Sequence, residues 1–210
     1  MLNILIADDH PIFRAGIKNY INREPDLKVI YEAEDGTEVF NYLIENDVDL
    51  VVIDIGLPGR SGLDMLPDIK KIKPKMPVLI LSMHPEERFG LRAIKAGASC
   101  YLSKESDPKI LIEAIRTIST GRKYITPIIA EKMAGEFEKD IKQNPHEILS
   151  NREFEIMRLI SIGKTIKEIA DMLSISINTV NTYRARIMEK MEMHSNMELA
   201  HYAIENKLID

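Results

Sequence analysis

The 210-residue sequence predicts an α/β domain built on a doubly wound, five-stranded parallel sheet of order 2-1-3-4-5, followed by a small all-α domain. Three observations predict it. Five short apolar runs are each followed by a segment whose apolar residues recur at helical spacing. Polar residues able to carry chemistry stand at the ends of four of those runs, and after the charged stretch Gly121–Pro145 strand signals give way to helical periodicity alone.

The expected strands are Leu2–Ala7, Leu27–Tyr31, Leu50–Ile55, Val78–Leu81 and Cys100–Leu102. Alternation with helices implies parallel pairing, because parallel strands need crossover connections. The clearest helix is Asp107–Thr120, with Ile110, Leu111, Ala114, Ile115 and Ile118 as one apolar stripe, Pro108 near its start and Gly121 after its end. Asp8 and Asp9 follow the first strand, Asp54 ends the third, Ser82 ends the fourth and Lys104 follows the fifth. The second strand ends without such a residue. In open α/β sheets a site forms beyond the carboxyl ends of the strands where strand order reverses, so the second strand is assigned to the edge.

The domains are expected at 1–121 and 148–210, with a partly helical linker over 122–147. After the linker, Ser150 with Glu153, Thr165 with Glu168 and Ser195 with Glu198 each read as an S/T-x-x-E capping box opening an apolar-periodic run. A hydrophobic content of 45% and a charged content of 29% are those of a chain able to bury a core. The net charge of −5 argues against a protein that coats nucleic acid or anionic membrane by bulk charge. One cysteine, Cys100, excludes an internal disulfide, and "MLNILIADDH" reaches two acids too early for a signal peptide. No apolar run approaches the roughly 18–20 residues of a membrane span, so the cytoplasm is expected and no membrane role.

Two acids on one loop facing a third across a cleft form an oxygen site suited to a hard, partly hydrated cation such as Mg2+. Convergence of Asp8, Asp9 and Asp54 with a lysine and a hydroxyl favours such a site over a set of solvated loop acids. The segments "ILIADDH", "VVIDIGLPGRSGLD", "LILSMH" and "AGASCYLSK" resemble, in order, the receiver domain of two-component response regulators. The resemblance implies that Asp54 is the phosphoacceptor for a sensor histidine kinase. It further implies that Asp9 binds Mg2+ directly, Asp8 mostly through water, and Gly56 through its backbone carbonyl. Lys104 and Ser82 then face the phosphoryl oxygens, and Ser82 with Tyr101 forms the switch, the ring rotating into space the serine vacates. Met83 after Ser82 and Glu105 after Lys104 depart from the commonest receiver pattern.

Thr165–Met191 reads as helix, turn, helix, with Ala170 small at the crossing and Ile169, Leu173, Ile175, Val180 and Tyr183 as apolar contacts. Together with "LSNREFEIMRLISIGKTIKEIA" it resembles the LuxR-type DNA-binding domain, and the whole chain resembles the NarL/FixJ family. By that resemblance Asn181, Thr182 and Ala185 face base edges, while Lys167, Thr179, Arg184, Arg186 and Lys190 contact phosphates. From Ile148 onward eight bases meet nine acids, yet Asn178–Met191 holds three bases and one acid. A local positive face on a negative domain predicts weak monomer binding and a need for a homodimer when phosphorylated or DNA-bound. The resemblance places the dimer contact on the last helix, at Leu199, Tyr202 and Ala203. An ion pair of Arg186 or Lys190 with Glu153 or Glu189, and core packing by Tyr202, are the competing roles.

The implied function is phosphorylation-dependent transcriptional regulation, with RNA polymerase a further partner, and no enzymatic turnover beyond the chain's own phosphorylation and dephosphorylation. An aspartate-nucleophile phosphohydrolase is the enzymatic rival, but it wants a second acid two residues after the nucleophile, where Gly56 stands. A third reading is an adaptor whose helices do not touch DNA.

Overall fold

The computed structural model describes residues 1–138 and 144–209. They divide into two compact units, Met1–Glu138 and Lys139–Asp210. The boundary falls inside the stretch read as a linker, of which 139–143 lies outside the described residues.

The first unit alternates β1 (Leu2–Ala7), α1 (Pro11–Ile21), β2 (Leu27–Ala33), α2 (Gly36–Glu45), β3 (Leu50–Ile53), α3 (Gly62–Ile72), β4 (Val78–Ser82), α4 (Glu86–Ala96), β5 (Cys100–Ser103) and α5 (Pro108–Ser119). All pairings are parallel and the strand order is β2-β1-β3-β4-β5, as the acid pattern predicts. β1, β3 and β4 are the inner strands, and from Ile4, Leu50 and Val78 onward they are buried to their ends. Helices cover both faces, so these strands read as continuous apolar runs rather than as alternating ones.

Register positions the site. Ala7 pairs with Ile53, so the chain leaves β1 and β3 side by side and delivers Asp8 next to Asp54. Ser82 pairs with Ser103, so Lys104 follows at the same level. β3 is two residues shorter than expected: Asp54 lies just past its end, where its amide donates to the Ala7 carbonyl at 2.9 Å. Along α5, Ile112 is buried and Ile110 is 36% exposed, which corrects the expected stripe by one position on the helical wheel. Cys100 is buried, and burial pushes its thiol well above the ordinary range, which keeps it an inert core group.

The linker does not remain apart from the first unit. Its helix α6 (Pro127–Glu138) packs against α4. No helix among the described residues is long and apolar enough to cross a membrane.

The second unit consists of a short 3-10 turn (Pro145–Ile148), α7 (Asn151–Ser161), α8 (Ile166–Met172), α9 (Ile177–Met191) and α10 (Asn196–Glu205). Ser150 and Thr165 each form the full capping box with Glu153 and Glu168. At α10, Ser195 caps the Glu198 amide, but the Glu198 carboxylate turns to the His194 amide instead, so the third box is half formed. Phe154, Ile156, Met157, Ile169, Val180, Ile187 and Leu199 make the core, while Leu173, Ile175 and Tyr183, expected inside, are half-buried. Arg152 is buried with Glu155 at 2.7 Å and donates to the Leu173 carbonyl at 3.0 Å, satisfying the last turn of α8.

Candidate functional site

The first candidate site lies at the carboxyl ends of β1, β3 and β5. Lys104 Nζ stands 2.7 Å from Asp8 Oδ2 and 2.7 Å from Asp54 Oδ2. These three side chains are 3%, 4% and 5% exposed, so the ammonium is the charge that keeps two carboxylates inside the fold. The Lys104 ammonium also lies 4.6 Å from the centre of the Phe13 ring. Asp8 is fixed further by the His10 amide, which donates to its Oδ1 at 2.8 Å, while Arg14 donates to its carbonyl.

Asp54 is buried next to Lys104, with Asp8 close by. Burial raises its pKa above the usual carboxylate range, although Lys104 and the Gly56 amide pull the other way and the neighbouring Asp8 charge adds to the rise. The loop after it allows no side chain at Gly62, where a Cβ would stand 2.2 Å from the Asp54 carbonyl oxygen. The chain therefore folds back tightly onto the Asp54 backbone.

Asp9 faces the same space with a side chain 33% exposed. Its Oδ1 is nevertheless a buried oxygen without a hydrogen-bond donor: His10 Nδ1 lies 2.7 Å away, but the geometry between them is not that of a hydrogen bond. One ligand atom from each of Asp8, Asp9, His10 and Asp54 lies within 4.8 Å of the others. An orphaned carboxylate oxygen among three carboxylates fits a hard divalent cation. His10 escapes the sequence reading, because a histidine after two acids gives no signal until the turn into α1 carries it back over them.

Ser82 is buried, and its hydroxyl accepts from the His84 amide at 3.1 Å. Tyr101 is fully buried, with its hydroxyl donating to the His84 carbonyl at 2.8 Å. The ring thus fills the interior, and its hydroxyl is tied to the carbonyl of the residue whose amide Ser82 accepts. His84 is held through its backbone, and its ring stacks on Phe89 at 4.8 Å.

The second candidate site is α9. Asn181, Thr182, Ala185 and Arg186 are exposed along it, as is Lys167 on α8. Thr179 is half-buried and shares a hydrogen bond with the capping Ser176, Arg184 bonds Asn196 at 2.8 Å, and Lys190 pairs with the buried Glu153 at 2.7 Å. Three of the five expected phosphate-contacting residues are thus held by this unit's own side chains. Leu199 and Ala203 are fully buried, and α10 packs on α7, so they form core rather than the expected dimer contact. Tyr202 is half-buried, and its hydroxyl meets His146 Nδ1 at 2.7 Å. The apolar side chains that α10 exposes are Met197 at 82% and Ile204 at 61%.

Residues 4–116 match the family model for the response regulator receiver domain, and residues 147–203 match that for bacterial regulatory proteins of the luxR family. The chain is 35% identical over 209 residues to the response regulator UvrY of Escherichia coli K12, covering 99% of this chain and 96% of that protein. It is 35% identical over 216 residues to the oxygen regulatory protein NreC of Staphylococcus carnosus, covering the whole of both. Among solved structures it resembles RcsB from Salmonella enterica serovar Typhimurium bound to promoter rprA in the presence of the phosphomimetic BeF3-. That likeness has a TM-score of 0.65 and 25% identity over 96% of this chain and 98% of that one.

Proposed function

The chain belongs to the two-component response regulators of the NarL/FixJ type, a receiver followed by a luxR-family DNA-binding domain, and from that premise we propose that Asp54 is the phosphoryl acceptor whose state sets DNA binding. The family makes the chain a transcriptional regulator and implies a kinase partner. The observation that carries the residue assignment is the buried Asp54 carboxylate with Lys104 Nζ at 2.7 Å.

The chemistry follows from the charges. A carboxylate oxygen of Asp54 attacks the phosphorus of a phosphohistidine, the P–N bond breaks, and the imidazole leaves. Negative charge gathers on the equatorial oxygens as this happens. Lys104, fixed by two acids before the phosphoryl arrives, exchanges part of its hold on Asp54 for those oxygens without a large reorganisation. Burial that raises the pKa of Asp54 leaves a poorly solvated and hence more reactive carboxylate. Ser82 swings its side chain to donate its hydroxyl to a phosphoryl oxygen, which carries Oγ away from the His84 amide. Asp9, Asp8 and Asp54, with the Gly56 carbonyl, would hold a Mg2+ ion, which supplies positive charge against the incoming phosphoryl group.

In the second unit, α9 enters the major groove, where Asn181, Thr182 and Ala185 read bases and Arg186 and Lys167 engage phosphates. Thr179, Arg184 and Lys190 join them by exchanging their present partners for the phosphate backbone. Pairing of two chains uses the outer face of α10, where Met197, His201 and Ile204 recur at positions i, i+4 and i+7. We place this reaction in the cytoplasm. The test is intact-mass spectrometry after incubation with acetyl phosphate and Mg2+: the wild type gains one phosphoryl group and Asp54→Ala gains none, whereas an adduct on the variant would refute the assignment.

A further inference from the structure

The chain that leaves α5 is tied to the first unit before it departs. Tyr124 forms a parallel bridge with Cys100 beside β5, its amide donating to the Ser99 carbonyl at 3.0 Å. Thr126 then donates its hydroxyl to Glu86 in the first turn of α4, and its own carbonyl accepts the first helical bond of α6 from Ala130.

One turn into α6, Ile129 is fully buried. Its seat is Gly90 of α4, where a Cβ would stand 2.8 Å from both Cγ1 and Cδ1 of Ile129. A glycine in the middle of a helix weakens that helix, and here its missing side chain is the socket. Within 127–135, where side chains are described, Ile129 is the only buried one. Among the described side chains, Ile129 in its socket and Thr126 on Glu86 tie the start of α6 to α4.

The same α4 is joined to the phosphoacceptor pocket. The peptide groups of His84 are held by Ser82 at the amide and by Tyr101 at the carbonyl, the His84 ring stacks on Phe89 of α4, and Glu86 follows two residues later. When Ser82 turns to a phosphoryl oxygen the His84 amide loses its acceptor. The segment that begins α4 then shifts, and Glu86, the partner of Thr126, shifts with it.

We propose that α6 is a strap, docked on α4 through Ile129 in Gly90 and Thr126 on Glu86 while Asp54 is free, and released when Ser82 engages a phosphoryl group on Asp54. The strap is the last described element before the second unit. It is a two-state element biased from one end, which is what coupling between distant sites requires. The coupling rests on Asp54 as phosphoacceptor; the docking does not.

Amide hydrogen exchange read by mass spectrometry on the full chain tests both parts, with intact mass reporting the adduct. Peptides within 127–135 exchange slowly in the unphosphorylated wild type and about tenfold faster or more once the adduct forms. Gly90→Ala, which favours α4 as a helix but fills the socket, and Ile129→Ala both exchange fast without any phosphoryl donor. An adduct with unchanged exchange over 127–135 would overturn the coupling, and slow exchange in Gly90→Ala would overturn the docking. Absence of the adduct would remove the coupling together with the phosphoacceptor assignment, while the two variants would still decide the docking.

Discussion

Lys104 Nζ lies 2.7 Å from Asp54 Oδ2, inside a pocket that closes over both side chains and over Asp8. The lysine permits the burial of two acids, and under the proposed function it also marks where the phosphoryl charge sits. Replacing it by Met leaves two carboxylates buried without their counter-charge. We predict that Lys104→Met lowers the stability of the first unit by about 3 kcal/mol without Mg2+, and that saturating Mg2+ restores part of the loss. Thermal melts with and without the ion check both.

Asp9 Oδ1 is the oxygen that lacks a donor. A cation that binds only the folded pocket raises its stability, by about 2.7 kcal/mol when it stands at roughly a hundredfold excess over its Kd. Asp9→Asn is expected to abolish this Mg2+-dependent rise in Tm while leaving the metal-free melting temperature close to that of the wild type. Calorimetric titration with MgCl2 provides an independent reading.

Glu153 and Lys190 link α7 to α9 at 2.7 Å. Burial alone would raise the Glu153 pKa, but the Lys190 ammonium and the Ser150 cap hold it below its ordinary value of 4.5. A carboxyl group whose folded pKa is depressed stabilises the fold fully above the unfolded pKa, and this contribution disappears as pH falls through the lower folded value. Lys190→Met is therefore expected to cost about 1 kcal/mol at neutral pH, with the difference from wild type narrowing as the pH drops below the ordinary carboxylate range. Chemical denaturation of the helical unit across pH, followed by circular dichroism, reads this.

Under the proposed function the exposed residues of α9 divide by role. Arg186→Ala is expected to weaken binding to every DNA sequence alike and to reduce the slope of log affinity against log salt by about 1. Asn181→Ala is expected to cost about 1–3 kcal/mol on the preferred site and little elsewhere. Fluorescence anisotropy over a salt series separates the two.

The acidic pocket was legible in sequence because it depends on order along the chain: strand ends place Asp8, Asp54 and Lys104 together once the sheet is parallel with β1 and β3 adjacent. What was not legible depends on three-dimensional packing. His10 returns over the acids only through the turn into α1. Leu199 and Ala203 look like a spare apolar face until α7 covers them. Gly90 and Ile129 lie 39 positions apart in a helix and a presumed linker, and nothing local in either segment announces that one is the socket of the other.

The most direct measurement of the account is the affinity of the full chain for genomic DNA fragments, at one fixed salt concentration, with and without acetyl phosphate and Mg2+, in the wild type and in Asp54→Ala. The account predicts tighter binding on phosphorylation of the wild type and no change in the variant. Equal affinity of the wild type in both states, or an equal gain in Asp54→Ala, would contradict it.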